Sequence, residues 1–200
     1  DVLEEMEPQT QIHIIESLPV DKVADLLEKM PADEAADILD EIEDDKAELL
    51  LREMDSESSK EIRELLEYPD NSAGGLMTTD VFSFKPGLTV GEVISELRQK
   101  KPEPSELYTL FVTEENDRLV GTFDLRDLVV SEPETHLNQI MRSDPVFLFD
   151  NQKIDDIAET ISKYNLLAVP VVDRDNLLQG MVVVDDVVED LINKRRTYKR

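Results

Sequence analysis

The sequence predicts a mixed fold, in which an all-α superhelical repeat of short helices is followed by two α/β units in tandem. Two internal repeats carry this prediction. One has a period of twelve residues within the first seventy, and in the other similar segments lie 64 residues apart. The two parts also differ in charge, because residues 1–70 carry 24 acidic and 6 basic side chains, whereas residues 71–200 carry 23 and 15.

The twelve-residue units begin at Leu18, Met30 and Ile42, with weaker copies at Met6 and Met54. Each helical residue turns the side-chain direction by about 100°, so twelve residues rotate the apolar face by about 120°. A continuous helix could not keep such a face toward one core. The repeat therefore predicts that the helix breaks once in every unit.

Proline and acidic residues mark where the new helices begin. We place Pro19 and Pro31 at the first helical position, with Asp21 and Asp33 two residues later, against the free amide groups of the first turn. Helix capping and solubility explain these regular carboxylates better than metal binding does. Asp45 and Glu57 continue the spacing, and the pairs expected to be buried are Leu26/Leu27, Ile38/Leu39 and Leu49/Leu50.

The longer repeat aligns the segment that starts at Met77 with the one that starts at Met141. After each segment the pattern predicts a helix, an apolar strand, a second strand ending near a glycine, and a closing helix. Alternating strands and helices indicate two α/β units, which we expect to pack about a pseudo-twofold axis. The ranges are 90–97, 107–113, 118–123 and 125–130 in the first copy, and 154–161, 167–173, 176–184 and 185–192 in the second.

Composition and charge exclude several classes of partner and binding site. The net charge of -26 argues against nucleic acid or an anionic bilayer as a partner and favours cations. The absence of cysteine excludes disulfides and zinc–thiolate sites. No apolar run approaches the roughly 20 residues that span a bilayer. Because the chain begins at Asp1 without a signal-like leader, we expect a trimmed piece of a longer protein.

No arrangement of residues indicates catalysis, so we expect that the chain is not an enzyme. His13 and His136 have no neighbouring acid and hydroxyl pattern, and Gly74-Gly75 lacks the spacing and the lysine of a phosphate loop. The basic run at 194–200 admits two interpretations: a flank next to a removed membrane segment, or a frayed tail.

Two sequence features resemble known families. Gly121-Thr-Phe-Asp-Leu-Arg-Asp127 and Gly180-Met-Val-Val-Val-Asp-Asp186 resemble the closing signature of CBS domains, but Asp124 and Val183 replace its hydroxyl residue. The segment Tyr68-Pro-Asp-Asn-Ser-Ala-Gly-Gly-Leu-Met77 resembles the junction of MgtE magnesium transporters, where an acidic helical domain meets the first CBS domain.

This resemblance implies the cytosolic Mg²⁺-sensing region of a magnesium transporter, at the cytoplasmic face of the cell membrane, which closes the pore when intracellular magnesium is high. Its partners would be a second copy, bound through the CBS domains, and its own transmembrane pore domain. The implied organisation is a helical domain at 1–68, a junction at 69–76, CBS domains at 77–138 and 139–193, and the basic tail.

The resemblance also implies metal ligands, with a solvated acidic surface as the alternative. Asn71 and Asn165 stand where a carboxylate is expected, which weakens both assignments. Residues that match the side facing the pore are Asp155, Asn165, Asp186 and Glu189, and those that match the docking junction are Glu67, Asp70, Asn71 and Gly75.

A nucleotide such as ATP is the alternative ligand, and Arg126 with Asp127 is its candidate site. An ordinary ion pair at a helix start explains these two residues better, and the missing hydroxyl residues weaken nucleotide binding. A third hypothesis is an acidic scaffold that only dimerises and docks partners. For the leading hypothesis, Mg²⁺ suits scattered oxygen ligands, and its binding would relieve the repulsion that holds the helical part away from the CBS pair.

Overall fold

The computed structural model describes Met6 and residues 8–197, and it divides the chain into two compact units. We call residues 1–70 the helical module and residues 71–200 the tandem module. The described part of the helical module contains the helices α1 (Pro8–Ser17), α2 (Val20–Leu27), α3 (Ala32–Asp40), α4 (Asp44–Glu53) and α5 (Ser56–Leu66).

The twelve-residue repeat gives one helix per unit, as predicted. Helices two places apart pack together, α1 on α3, α2 on α4 and α3 on α5, which produces the superhelical repeat. The acidic residue of each repeat lies in the first turn of its helix, as expected. The predicted position of the prolines was wrong by one residue. Pro19 and Pro31 precede the helices with extended ψ angles of 145° and 139°, while their carbonyl oxygens accept the first helical hydrogen bonds.

Burial also corrects one of the predicted leucine pairs. In α4 the buried neighbours are Leu50 and Leu51, whereas Leu49 is 49% exposed. A strict twelve-residue step from Leu26/Leu27 leads to Ile38/Leu39 and then to Leu50/Leu51. Leu27 is buried, but Leu26 remains 39% exposed, so only one residue of that pair belongs to the core.

An ion-pair cluster on the surface joins the last two helices of this module. Glu48 of α4 accepts hydrogen bonds from Arg52 Nε at 2.8 Å and from Arg63 Nη1 of α5 at 2.7 Å. The bond from Arg63, followed by that from Arg52, lowers the pKa of the Glu48 carboxyl. Arg52 and Arg63 therefore already form ion pairs within the helical module. Fewer basic side chains remain to offset the charge of its acidic surface.

The tandem module contains two copies of one α/β arrangement, as predicted. The first copy comprises α6 (Ala73–Leu76), β1 (Ser83–Phe84), α7 (Val90–Lys100), β2 (Leu110–Thr113), β3 (Leu119–Phe123) and α8 (Leu125–Val130). The second copy comprises α9 (Leu137–Ile140), β4 (Leu148–Phe149), α10 (Ile154–Tyr164), β5 (Ala168–Val172), β6 (Leu178–Val183) and α11 (Val184–Thr197).

Each copy builds a three-stranded sheet, in which a short strand runs parallel to the middle strand and the third strand runs antiparallel to it. The orders are β1-β2-β3 and β4-β5-β6. Several details differ from the predicted ranges, among them the three that follow. A 3-10 turn at Ser105–Leu107 follows Pro104, so β2 starts at Leu110. The two-residue strands β1 and β4 were not predicted, and α11 continues through residues 194–197 of the expected basic tail. Residues 198–200 lie outside the described part.

Alternation along the strands divides the apolar side chains between two cores. Leu110 and Val112 of β2 pack with Val90, Val93 and other residues of their own copy. Phe111, which points the other way, belongs to a second cluster between the two sheets. The members of that cluster are Phe111, Leu119, Ala168, Val172, Met181 and Val183.

The short segment that precedes each copy pairs with a strand of the other copy. We call these two segments, Met77–Thr78 and Met141–Arg142, the lead-in segments. Thr78 pairs with Met181 of the second copy through two hydrogen bonds of 2.9 and 3.0 Å. Arg142 pairs with Thr122 of the first copy through bonds of 2.8 and 3.1 Å. Such reciprocal contacts are what the expected pseudo-twofold relation produces.

The glycines of the two closing signatures make this exchange possible. A Cβ at Gly180 would lie 2.3 Å from the carbonyl oxygen of Thr78, and one at Gly121 would lie 2.8 Å from Sδ of Met141. Both distances are shorter than any relaxed contact. The first is to backbone and the second is to a side chain, although the carbonyl oxygen of Arg142 would also lie 3.0 Å from a Cβ at Gly121. A side chain at Gly180 would therefore push the lead-in segment away from the sheet.

We predict that Gly180→Ala destabilises the tandem module by about 2 kcal/mol, because the overpacked site must shift backbone. Gly121→Ala should cost less, since the Met141 side chain can move and the carbonyl oxygen of Arg142, at 3.0 Å, needs to shift only slightly. Gly87→Ala is the matched control, because no atom lies within 4 Å of the added Cβ. Urea unfolding of the three variants tests this, and equal midpoints for Gly180→Ala and Gly87→Ala would contradict it.

Candidate functional site

The junction residues 71–76 are anchored on the second copy, although they precede the first in the chain. The amides of Ala73 and Gly74 donate to the carbonyl oxygens of Gln152 and Asp150, at 2.8 and 2.7 Å. Ser72 pairs with Lys153 in an antiparallel bridge. The segment that leads into the first copy is therefore hydrogen-bonded to the turn between β4 and α10 of the second copy.

This attachment brings together two of the predicted metal ligands. The Asn71 carbonyl oxygen accepts a hydrogen bond of 3.2 Å from the amide of Ile154, the residue before Asp155. Asp155 lies in the first turn of α10, and both side chains are exposed. An amide oxygen and a carboxylate thus lie on neighbouring stretches of backbone, facing solvent.

Asn165 lies at the other end of α10. Ten residues of helix separate it from Asp155, a rise of about 15 Å, so the two side chains cannot share one ion within a chain. Its φ and ψ angles of 51° and 48° end the helix in the left-handed region, which asparagine tolerates better than most residues. The helix ending accounts for an asparagine at this position without a metal, and the side-chain amide is exposed.

Asp186 lies in the first turn of α11, a helix that packs on α10. Its side chain is exposed, as is that of Asp155 in the first turn of α10. Glu189 follows three residues later on α11, which places the two residues on one helix face. The side chain of Glu189 lies outside the described residues.

The remaining predicted ligands flank the boundary between the modules. Glu67 follows the last residue of α5, and both it and Asp70 are exposed at the end of the helical module. Gly75 belongs to the tandem module, within α6. Its amide donates to the side-chain hydroxyl of Ser72 at 3.2 Å, so this N–H already has a partner.

These donors do not form a closed cage. Among the side chains that the structure describes, no three acidic or histidine groups lie close enough together to hold a metal ion. Mg²⁺ nevertheless keeps several of its waters and binds through one or two carboxylates. The exposed oxygen donors at Asp155, Asn71 and Asp186 fit such a hydrated ion better than a dehydrated one.

The predicted nucleotide residues have a different environment from the one expected. Arg126 Nη1 is 4.0 Å from Asp127, and its side chain is 81% exposed, so the expected ion pair at the helix start is weak. Instead Arg142 bridges two carboxylates: Nη2 lies 2.8 Å from Asp124 Oδ1, and Nη1 lies 3.2 Å from Asp127 Oδ2. Sequence reasoning missed Arg142, because it belongs to the lead-in segment of the other copy.

Sequence reasoning also missed an open cavity of about 670 Å³ at the hairpin turns of the tandem module. Two turns about sixty residues apart meet there, held by the pairing of Arg118 with Leu177. No predicted site residue lines this cavity. Its charged and polar lining comprises Lys85, Glu114, Glu115, Asn116, Arg118 and Asp175.

None of the helices in the described part of the chain combines the length and the apolar character that crossing a membrane requires.

Sequence comparison shows which families the two modules match. The profile of the MgtE intracellular N domain matches residues 1–71. The profile of the CBS domain matches residues 73–133 and again residues 137–193. Together these matches cover nearly the whole chain.

Curated relatives carry the same family name. The magnesium transporter MgtE of Thermus thermophilus is 36% identical over 131 residues, or 66% of this chain and 29% of the relative. That of Enterococcus faecalis is 36% identical over 134 residues, or 67% of this chain and 30% of the relative. The matched part therefore spans less than a third of these relatives.

Two solved structures resemble the whole fold. One, described as the soluble part of a magnesium transporter, is 30% identical with a TM-score of 0.92 and covers 97% of this chain and 77% of that one. The other, the cytosolic domain of the Mg²⁺ channel MgtE in complex with ATP, is 31% identical with a TM-score of 0.87 and covers 94% and 77%. The chain thus belongs to the MgtE family of magnesium transporters, of which it contains the intracellular N domain and the pair of CBS domains.

Proposed function

We propose that this chain is the Mg²⁺-sensing regulatory region of a magnesium transporter, at the cytoplasmic face of the cell membrane. In this proposal, Mg²⁺ binding draws the helical module toward the CBS pair, and that closure shuts a pore formed by the rest of the protein. Family membership supports the regulatory role, and the uneven charge of the two modules supports the sensing mechanism.

Charge is the observation that carries the sensing proposal. The helical module has a net charge of -18, the difference between 6 basic and 24 acidic residues, and the tandem module has -8 from 15 and 23. Two modules of like charge repel each other, and divalent cations between or upon them reduce that repulsion. A shift toward a closed state then requires only that Mg²⁺ bind that state more tightly.

The proposed ligands supply oxygen atoms suited to this ion. Asp155 and Asn71, which the structure places on adjacent backbone, would hold one hydrated ion, and Asp186 with Glu189 would hold another. Glu67, Asp70, Asn165 and Gly75 remain proposed ligands whose sites would be completed by other parts of the protein. Closure is thus expected to depend on carboxylates that are individually weak ligands.

A homodimer through the CBS pair is part of the proposal. The closing helices of both copies expose apolar residues one helical turn apart: Leu125 and Val129 on α8 are 39% and 81% exposed, and Val188 and Ile192 on α11 are 49% and 47% exposed. Val129 and Val188 occupy equivalent positions in the two closing signatures, so a second chain could cover both stripes about one axis. The other proposed partner is the transporter's own membrane domain.

Small-angle scattering during a Mg²⁺ titration at fixed ionic strength tests this proposal. We expect the radius of gyration to fall as Mg²⁺ replaces monovalent salt, and the forward scattering to report the mass of two chains. The variant with Asp186→Ala and Glu189→Ala should need more Mg²⁺ for the same change.

Asp185→Ala with Glu159→Ala is the matched control, because it removes the same charge from exposed positions outside the proposed sites. A radius that responds equally to Mg²⁺ and to monovalent salt of the same ionic strength would favour the acidic scaffold and refute sensing.

Binding of an adenosine nucleotide is the second candidate function, because the similar MgtE cytosolic domain has been solved in complex with ATP. Equilibrium dialysis with ATP, in the presence and absence of Mg²⁺, tests it. We expect saturable binding that competes with adenosine. Uptake that follows ionic strength alone would reject a nucleotide site.

A further inference from the structure

The cavity at the hairpin turns of the tandem module has walls that the backbone holds in place. Asn176, in the turn of the second copy, joins the two turns. Its carbonyl oxygen accepts a hydrogen bond from the amide of Leu119 at 3.0 Å, and its Nδ2 donates to the carbonyl oxygen of Leu119 at 2.8 Å. The volume of about 670 Å³ is within the range of about 300–1,000 Å³ that small-molecule sites occupy. The cavity therefore has a size and a rigidity suited to a small molecule.

The cavity is distinct from the candidate sites described above. It lies at the start of β3, whereas Asp124 and Asp127 follow the end of that strand. Residues of a strand rise by about 3.3 Å each, which separates Arg118 from Asp124 by about 20 Å. Of the residues that the structure describes, no proposed metal ligand lines the cavity. A ligand held there would thus use groups that neither candidate function employs.

One cation of the lining is held mainly by uncharged groups. Lys85 Nζ donates to the carbonyl oxygen of Glu114 at 2.6 Å and to Thr113 Oγ1 at 3.3 Å, and Asp117 Oδ1 lies 3.6 Å away. The 64-residue repeat places Phe149 at the equivalent position of the second copy. This positive charge is therefore specific to the side of the tandem module on which the cavity lies.

The second cation of the lining, Arg118, has its guanidinium uncommitted. Its backbone pairs with Leu177 where the two turns meet, and its side chain is exposed. Within the described part of the chain, this guanidinium forms no ion pair and no side-chain hydrogen bond. A guanidinium carries five N–H donors in a planar fork that matches the geometry of a carboxylate. Arg118 can therefore offer this whole fork to an anionic group.

Three carboxylates line the same cavity, those of Glu114, Glu115 and Asp175. None of the three forms an ion pair with a basic side chain in the part of the chain that the structure describes. With Lys85 and Arg118, the lining has two basic and three acidic side chains. A purely anionic ligand would be repelled by the carboxylates, and a purely cationic one by the two basic groups. The cavity thus favours a ligand that carries charges of both signs.

We propose that this cavity binds a zwitterionic small molecule with an additional positive charge, which is the chemical class of the basic amino acids. The carboxylate of the ligand accepts hydrogen bonds from the Arg118 fork, in a charge-assisted pair roughly twice as strong as a neutral one. The two cationic groups of the ligand lie against Glu115 and Asp175. The net charge of -26 on the chain favours a ligand whose own net charge is positive.

Equilibrium dialysis with L-arginine, at fixed ionic strength and without Mg²⁺, tests this proposal. We expect saturable binding of one arginine per chain, weakened about tenfold in Arg118→Ala because the ligand carboxylate loses its partner. Arg98→Ala, at an exposed position on α7 outside the cavity, is the matched control and should bind as the unaltered chain does. Unchanged binding in Arg118→Ala, or no saturation by about 10 mM arginine, would overturn the proposal.

Agmatine, which is arginine without its carboxylate, separates a specific site from the general attraction of cations to an acidic surface. We expect agmatine to bind the unaltered chain about tenfold more weakly than arginine does, and to lose no affinity in Arg118→Ala. Agmatine that binds as tightly as arginine would contradict the proposal, because the carboxylate would then have no partner in the cavity.

A second variant tests the acidic side of the cavity without changing Arg118. Glu115→Gln with Asp175→Asn removes the proposed partners of the cationic groups, at two exposed positions, and should weaken arginine binding about tenfold. Glu159→Gln with Asp185→Asn is the control, because it removes the same charge at exposed positions outside the cavity. Equal weakening in both pairs would assign the effect to net charge and refute the site. Since Mg²⁺ is absent throughout, these results are independent of the sensing proposal.

Discussion

The reciprocal backbone pairing of Thr78 with Met181 and of Arg142 with Thr122 joins the two CBS copies into one body. Each sheet is extended by a segment that precedes the other copy, and an apolar cluster to which both copies contribute lies between the sheets. The pairing requires a bare backbone at Gly121 and Gly180. The two glycines of the repeated signature therefore serve packing, and ligand binding need not be invoked to explain them.

This interlock determines how the helical module connects to the rest. Residue 70 is joined covalently to residues 71–76, which are hydrogen-bonded to the turn before α10. A displacement of the helical module would therefore be transmitted through residues 71–76 to the second copy before it reaches the first. Asp155, Asn71 and Asp186 also belong to that region, so the proposed cation sites lie close to the point where residues 71–76 are attached to the second copy.

The repeats predicted much of this fold, because each repeat unit carries its own start and stop signals. Both boundaries of the closing helix 125–130 were predicted correctly, and the short helices of the first module follow the twelve-residue period. Local patterns failed where the outcome depended on tertiary contacts. Leu49 and Leu51 are equally apolar, and only packing decides that Leu51 is buried. The strands β1 and β4 are two residues long, too short for any alternation to be visible.

The candidate sites were less predictable than the fold for the same reason. Resemblance supplied Asp155 and Asn71, but their proximity arises from hydrogen bonds between stretches of chain about eighty residues apart. The partner of Asp127 was expected from the neighbouring Arg126, whereas the structure supplies Arg142 from the other copy. Pairings of this kind leave no periodic signal in the sequence.

Native-state hydrogen exchange at the amides of Thr78, Met181, Thr122 and Arg142 tests the interlock most directly. These four amides donate the hydrogen bonds between the lead-in segments and the sheets. Their hydrogens should therefore exchange with solvent only when the whole tandem module unfolds, with the same free energy of opening as the most protected amides of β2 and β5. Faster exchange of Thr78 and Met181 than of those strands, through an opening that leaves both sheets intact, would show that the two copies are separable bodies.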